Sequence, residues 1–351
     1  MSGIIGHMAY AILAGKAARE RRLPIALLVE RHHASYLAGS YLGCDVITLP
    51  AAVCVDTGQE VGYCAARIDK SPLTGGRVRS WRLRHGEAAY TPRQIYEMFY
   101  GRAHLVFGWT KKEQKYTLPW DHLADYLGFA MGDAIELFGP GERRLAYMFG
   151  WMTHVVGDSL IKSVRPGITL NLLNGEYTPE NRPIQDLVTF HEVGRKELGL
   201  HWPDLLSDLV DTPVEPVQAH YMRVARPRGQ LAKHFPTPWI QEEEELLMLV
   251  MAENRRYQRI RNGRLLKKLA LRRTERGWEC DPELSRITGG LRYEEMVALA
   301  EKAHFRHALW QMGEAIADLF EAVIQRQPLL QQLPRTAGPT WKELSEEWRK
   351  R

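Results

Sequence analysis

Cysteine is scarce in this chain: Cys44, Cys54, Cys64 and Cys280 are the four thiols among 351 residues, and none forms a Cys-x-x-Cys spacing. So few thiols cannot staple a secreted disulfide scaffold, and the ten-residue interval between the first three matches no zinc ribbon. Buried apolar thiols are the default reading. Long hydrophobic runs are missing as well, since no segment reaches the roughly 18 to 20 residues without charge that a membrane helix needs. Residues 1–13 are apolar, but Lys16, Arg19, Arg21 and Arg22 follow them rather than lead, which is the wrong order for a signal peptide. The expectation is a soluble, cytoplasmic protein. Gly-x-Ser-x-Gly, the Gly-x-x-x-x-Gly-Lys-Ser/Thr phosphate loop and the dinucleotide fingerprint are all absent, which removes three large enzyme classes.

What is present is apolar substance. Hydrophobic residues make up 45% of the chain and charged residues 25%, so a large core can form, and a net charge of +5 does not by itself demand a nucleic-acid or membrane partner. Apolar residues recur with helical period at 4–22, 24–42, 92–107, 118–138, 140–160, 183–198, 202–219, 237–271, 292–325 and 341–350. Pro24 closes the first of these and Gly43 the second. The stretch 55–84 carries Gly58, Gly62, Pro72, Gly75 and Gly76 and reads as loops with a short hairpin. Strand patterns are otherwise scarce. The pattern predicts an all-α architecture in three parts: a helical domain over 1–225, a helical extension over 226–330, and a linker with a terminal helix over 331–351.

Residues 254–273 collect Arg255, Arg256, Arg259, Arg261, Arg264, Lys267, Lys268, Arg272 and Arg273 between leucines. Two readings stand: a solvated basic helix face, or a surface at 255–273 that meets an acidic partner, a membrane or nucleic-acid phosphates.

The pair that carries chemistry is His154 and Asp158, in Gly150-Trp151-Met152-Thr153-His154-Val155-Val156-Gly157-Asp158-Ser159. A four-residue offset puts both side chains on one helical face, where an imidazole and a carboxylate can share a cation. A carboxylate amid Met148, Phe149, Trp151, Val155 and Val156 also calls for a compensating charge. Chance alone gives about 1.6 His-x-x-x-acid pairs for 13 His and 42 acidic residues in 351, so context has to decide.

That context is an ordered set: His7 in Gly6-His7-Met8-Ala9-Tyr10, Asp45 after Ser40-Tyr41-Leu42-Gly43-Cys44, and His104 in Arg102-Ala103-His104-Leu105. Together with His154 and Asp158, this order resembles the zinc-dependent phospholipase C and S1/P1 nuclease superfamily over residues 6–199. The resemblance implies an all-helical phospholipase C-like bundle and hydrolysis of a phosphate ester at a zinc cluster. It implies that His7, Asp45, His104 and His154 are metal ligands, with His85 the second choice for the place of His104. Asp158 would bridge two ions, and Asp45 would orient the attacking water. The family also places a His soon after the bridging aspartate and then a His-x-x-x-Glu. Here 160–169 contain no His, His191 is followed directly by Glu192, and the nearest other match is the reversed pair Glu197 and His201.

Asp45, His104, His154 and Asp158 would give one site two imidazoles and two carboxylates, a set that suits Zn2+, and equally Fe2+ or Mn2+, with one or two ions in all. The plainer readings stay open beside this one: His154 as a core histidine bonded to Asp158, Asp45 as a helix cap, His104 as a surface residue. Two rivals use other residues. Glu30-x-x-His33 and Glu301-x-x-His304, with His307, match a di-iron bundle signature. A non-catalytic helical binding protein that keeps the scaffold is the third reading. The phosphate-containing substrate itself is not legible in the residues.

Overall fold

The computed structural model describes residues 3–42, 49–57, 59–61, 77–103, 122–161, 180–212 and 241–333. The chain is mostly helical. Its first helix, α1 (Ile4–Glu20), is buried on nearly every side from Ile4 to Ala18, as its run of Ile, Ala, Met and Leu requires. It ends two residues earlier than its apolar pattern suggests. The single helix expected over 24–42 is instead two, α2 (Ala26–Arg31) and α3 (His33–Leu42), separated at His32. The break lets Arg31 and His32 both reach Glu142, at 3.1 Å each, in the first turn of α6 (Glu142–Ile161). A carboxylate there complements the helix dipole.

The stretch read as loops holds a small antiparallel sheet. Strands β1 (Ala52–Cys54), β2 (Glu60–Val61) and β3 (Val78–Ser80) lie in the order β2-β1-β3, with Ala52 opposite both Val61 and Ser80. A hairpin follows, β4 (Leu83–His85) with β5 (Ala88–Tyr90), turning at Gly86 with φ +57°. Strands of two or three residues are too short to show an alternating pattern, which is why the sequence reads as loop.

The helices α4 (Pro92–Ala103), α5 (Leu123–Phe138) and α7 (Asn181–Val188) fall near their expected places. α7 runs on into a π-helix over Thr189–Glu197, and α8 (Trp202–Asp211) follows it. A wide turn exists there because Gly194 admits the Trp202 ring, which would lie only 2.5 Å from a β-carbon at that position. Trp202 Nε1 donates to the Phe190 carbonyl. α9 (Gln241–Leu269) is the long helix of the basic stretch, followed by the hairpin β6 (Arg272–Thr274) and β7 (Gly277–Glu279) and by α10 (Pro282–Ile287).

The helix expected over 292–325 is again a pair, α11 (Tyr293–Lys302) and α12 (Phe305–Arg326), broken where His304 takes a left-handed conformation at φ 53°. The short α13 (Pro328–Gln331) follows. The helix expected over 341–350 lies outside the described residues. Gly313 of α12 packs against Leu13 of α1, and the two helices share one core.

The tightest contact in that core joins α3 to α6. A β-carbon on Gly39 would lie 2.0 Å from the Tyr147 carbonyl oxygen, and one on Gly150 would lie 1.8 Å from the Tyr36 carbonyl oxygen. The two backbones touch there, so only glycine fits at either position. Tyr36 also donates from its buried hydroxyl to the Ala11 carbonyl at 2.7 Å, which ties α3 to α1. No described helix is long and apolar enough to cross a membrane.

Candidate metal site

Three helices meet around two histidines. His7 stands one turn into α1 and His154 in the second half of α6; both are buried, and their rings stack with centroids 3.9 Å apart and planes within 10°. The fold thus joins two imidazoles separated by 147 positions in the chain. Tyr10 presents its ring edgewise to His7 at 5.8 Å and seats on Gly157 of α6, where a β-carbon would lie 2.7 Å from Tyr10 Cδ2. Asp158 follows directly, one helical turn after His154 in α6. Four residues of rise carry it about 6 Å along the axis on the same face as His154. The Asp158 side chain lies outside the described atoms, as do residues Asp45 and His104.

The protonation of His154 follows from its partner. Nδ1 lies 2.9 Å from the Ser40 backbone oxygen, and a carbonyl only accepts, so Nδ1 carries the hydrogen. In the neutral ring, Nε2 then holds the lone pair. A metal-binding imidazole is set in the same way, by donating its other N–H to a carbonyl or carboxylate. Ser40 lies in the last turn of α3, where helix carbonyls lack an intrahelical donor, and its own hydroxyl donates to the Leu37 carbonyl at 2.7 Å.

The other candidate residues are held elsewhere. His85 sits on β4 with Nε2 3.4 Å from Glu245 of α9. His191, on the π-helix, is bonded through Nε2 to the Leu269 carbonyl at 2.8 Å and packs edgewise on Tyr293 at 5.6 Å. Burial lowers its affinity for a proton. Glu192 accepts from the Tyr293 hydroxyl and from Lys196. Although burial opposes it, these donors hold the carboxyl below its usual range. Glu197 accepts from Arg306 and Trp310, and His201 Nδ1 lies 2.8 Å from Asp204. Each thus has a structural partner between helices or at a helix start.

The di-iron pattern loses its premise, because it needs each Glu and His on one helix. Glu30 belongs to α2 and His33 to α3; Glu301 belongs to α11, while His304 is the left-handed residue before α12. Glu30 instead pairs with Arg19 at 3.1 Å. Among the described residues, no three His, Cys, Asp or Glu side chains converge as a metal-holding group.

The basic stretch is largely answered from within the chain. Arg256 pairs with Glu253, Arg259 with Asp211, Arg261 and Arg264 with Glu60, Lys268 with Glu283, and Arg272 with Glu279. Arg255 donates to the Val210 carbonyl. Much of this charge therefore anchors α9 to the β2 strand, α8 and α10.

Sequence reading did not find Ser40, Tyr36, Gly39 or Gly150. The available signal was an isolated glycine in the middle of each of two helical patterns, which points to close packing. The chain matches no protein-family model, no curated protein and no solved structure.

Proposed function

We propose that the chain is a zinc-dependent hydrolase of a phosphate ester or phosphodiester, similar in scaffold and site to the phospholipase C and S1/P1 nuclease superfamily. The observation that carries the reading is the His7 and His154 pair: two buried imidazoles in ring contact, one of them set by the Ser40 carbonyl in the Nδ1–H form, one turn ahead of Asp158. A nitrogen donor pair of this kind fits Zn2+, and Fe2+ or Mn2+ by the same chemistry. Asp45, His104, His154 and Asp158 would hold one cation and His7 would help to hold a second that shares Asp158, since parallel ring planes do not converge on a single ion. When bound, the metal would supply a Lewis acid for a phosphoryl oxygen and a more acidic water.

The protein groups then have separate roles. The carboxylate of Asp158 neutralises the site, and Asp45 orients the attacking water and takes its proton. Met148, Phe149, Trp151, Val155 and Val156 of the same helix are buried, and an interior of this kind would strengthen each charge contact at the site.

Element-resolved metal content of the purified chain, followed by an assay on an aryl phosphodiester with and without chelator, tests this. Expected are zinc at one or two ions per chain and turnover that chelator abolishes and zinc restores. A chain that binds no divalent metal with useful affinity would overturn the reading, and metal without turnover would leave a binding protein on the same scaffold.

A further inference from the structure

The last turn of α3 meets the candidate site at one atom, the Ser40 carbonyl oxygen. The approach is possible because α3 and α6 touch through Gly39 and Gly150, so that the end of one helix reaches a ring on the other. The oxygen belongs to the negative end of the α3 dipole. A hydrogen bond from an imidazole N–H to such an end withdraws no charge from the ring; it pushes electron density toward the opposite nitrogen. The Ser40 hydroxyl donates to Leu37 within the same turn, and the residue is fully buried, so the turn is held from both sides.

We propose that Ser40 is a positioning residue of the metal site, whose carbonyl fixes His154 in the Nδ1–H tautomer and raises the donor strength of Nε2 toward a divalent cation. This rests on the metal-site reading above. Ser40 does not touch the cation; it acts through His154. Any divalent ion with a taste for imidazole is served by the same device.

The test separates the tautomer from the metal. Nitrogen-15 NMR of the ring in the metal-free, folded chain should show the hydrogen of His154 on Nδ1; a hydrogen on Nε2 overturns the proposal. Exchange of the backbone amide of Tyr41 for an ester turns the Ser40 carbonyl into a weaker acceptor without changing any side chain. Zn2+ titration by calorimetry should then show affinity reduced about 10- to 100-fold, the range for loss of an outer partner of a ligating histidine. The same exchange at Leu37, which also removes one helix N–H, should leave Zn2+ affinity within a factor of about three. Equal losses in the two esters would reduce Ser40 to helix packing and overturn the proposal. If the unmodified chain takes up no Zn2+ while the Nδ1–H tautomer is seen, the metal reading itself has failed and the positioning role falls with it.

Discussion

Gly39 and Gly150 stand at the crossing of α3 and α6, each pressed on the backbone of the opposite helix, with carbonyl oxygens 2.0 and 1.8 Å from where a β-carbon would be. Neither obstruction is a movable side chain. Alanine at either position should force the helices apart and cost about 3 kcal/mol, the upper part of the range for overpacking. The gain of about 1 kcal/mol from better helix propensity does not offset it. Urea denaturation of Gly39→Ala and Gly150→Ala should show the loss, whereas midpoints at or above wild type would mean that the helices do not meet there.

Metal content and thermal stability should move together. His7→Ala, His154→Ala and Asp158→Asn are each expected to strip a cation and to lower the thermal midpoint of the metal-loaded chain, because binding to the folded form is part of its stability. The signature is that chelator lowers the wild-type midpoint and leaves those of the variants unmoved. Full metal content in all three would sink the ligand assignment.

Acid should weaken the fold through two imidazoles, the half-buried His33 and the buried His191. Burial pushes His33 down to about 3 and lowers His191, from an ordinary value of 6.5. The unfolded chain takes up those protons near the ordinary value, while the folded chain refuses them until the pH is lower. Their contribution is therefore complete above about pH 6.5 and is lost as pH falls toward about 3 for His33. Glu30 and Glu60, whose carboxyls burial raises, act in the opposite sense, so the comparison that isolates His33 is with His33→Asn. Unfolding free energy measured between about pH 7 and pH 4 should fall less steeply in that variant; parallel profiles would exonerate His33.

Glu60 of β2 is nearly buried and meets Arg261 at 2.8 Å, with Arg264 at 3.9 Å. Removal of the nearer guanidinium leaves a desolvated carboxylate behind, which costs about 3 kcal/mol when a buried pair is broken from one side. Arg261→Ala should show that loss in denaturant. The double variant with Glu60→Gln should recover part of it, and a double variant as unstable as the single one would mean that the arginine packs rather than pairs.

Helical periodicity carried most of the architecture, because amphipathic stretches such as 123–138 and 142–161 repeat their apolar face over several turns. It could not see the breaks at His32 and His304, since the pattern on either side stays in phase and the interruption is set by distant partners: Glu142 for the first, and the burial of Phe305 for the second. The strands of the small sheet were too short to leave a period. At the site, the meeting of His7 with His154 was expected only through the resemblance that the order of the residues carries. The Ser40 carbonyl could not be expected, because a backbone atom has no letter in the sequence. His191 and Glu192 looked like ligands by type, yet their burial against Leu269 and Tyr293 serves the joint between the π-helix, α9 and α11.

Gly313 of α12 against Leu13 of α1 joins segments 300 positions apart. During synthesis α1 emerges well before α12, and its apolar flank stays uncovered until α12 follows. Contacts this distant in sequence slow folding and leave partly folded chains prone to stick together. The nascent chain, holding His7 on α1, therefore has to be kept from aggregation until α12 has left the ribosome.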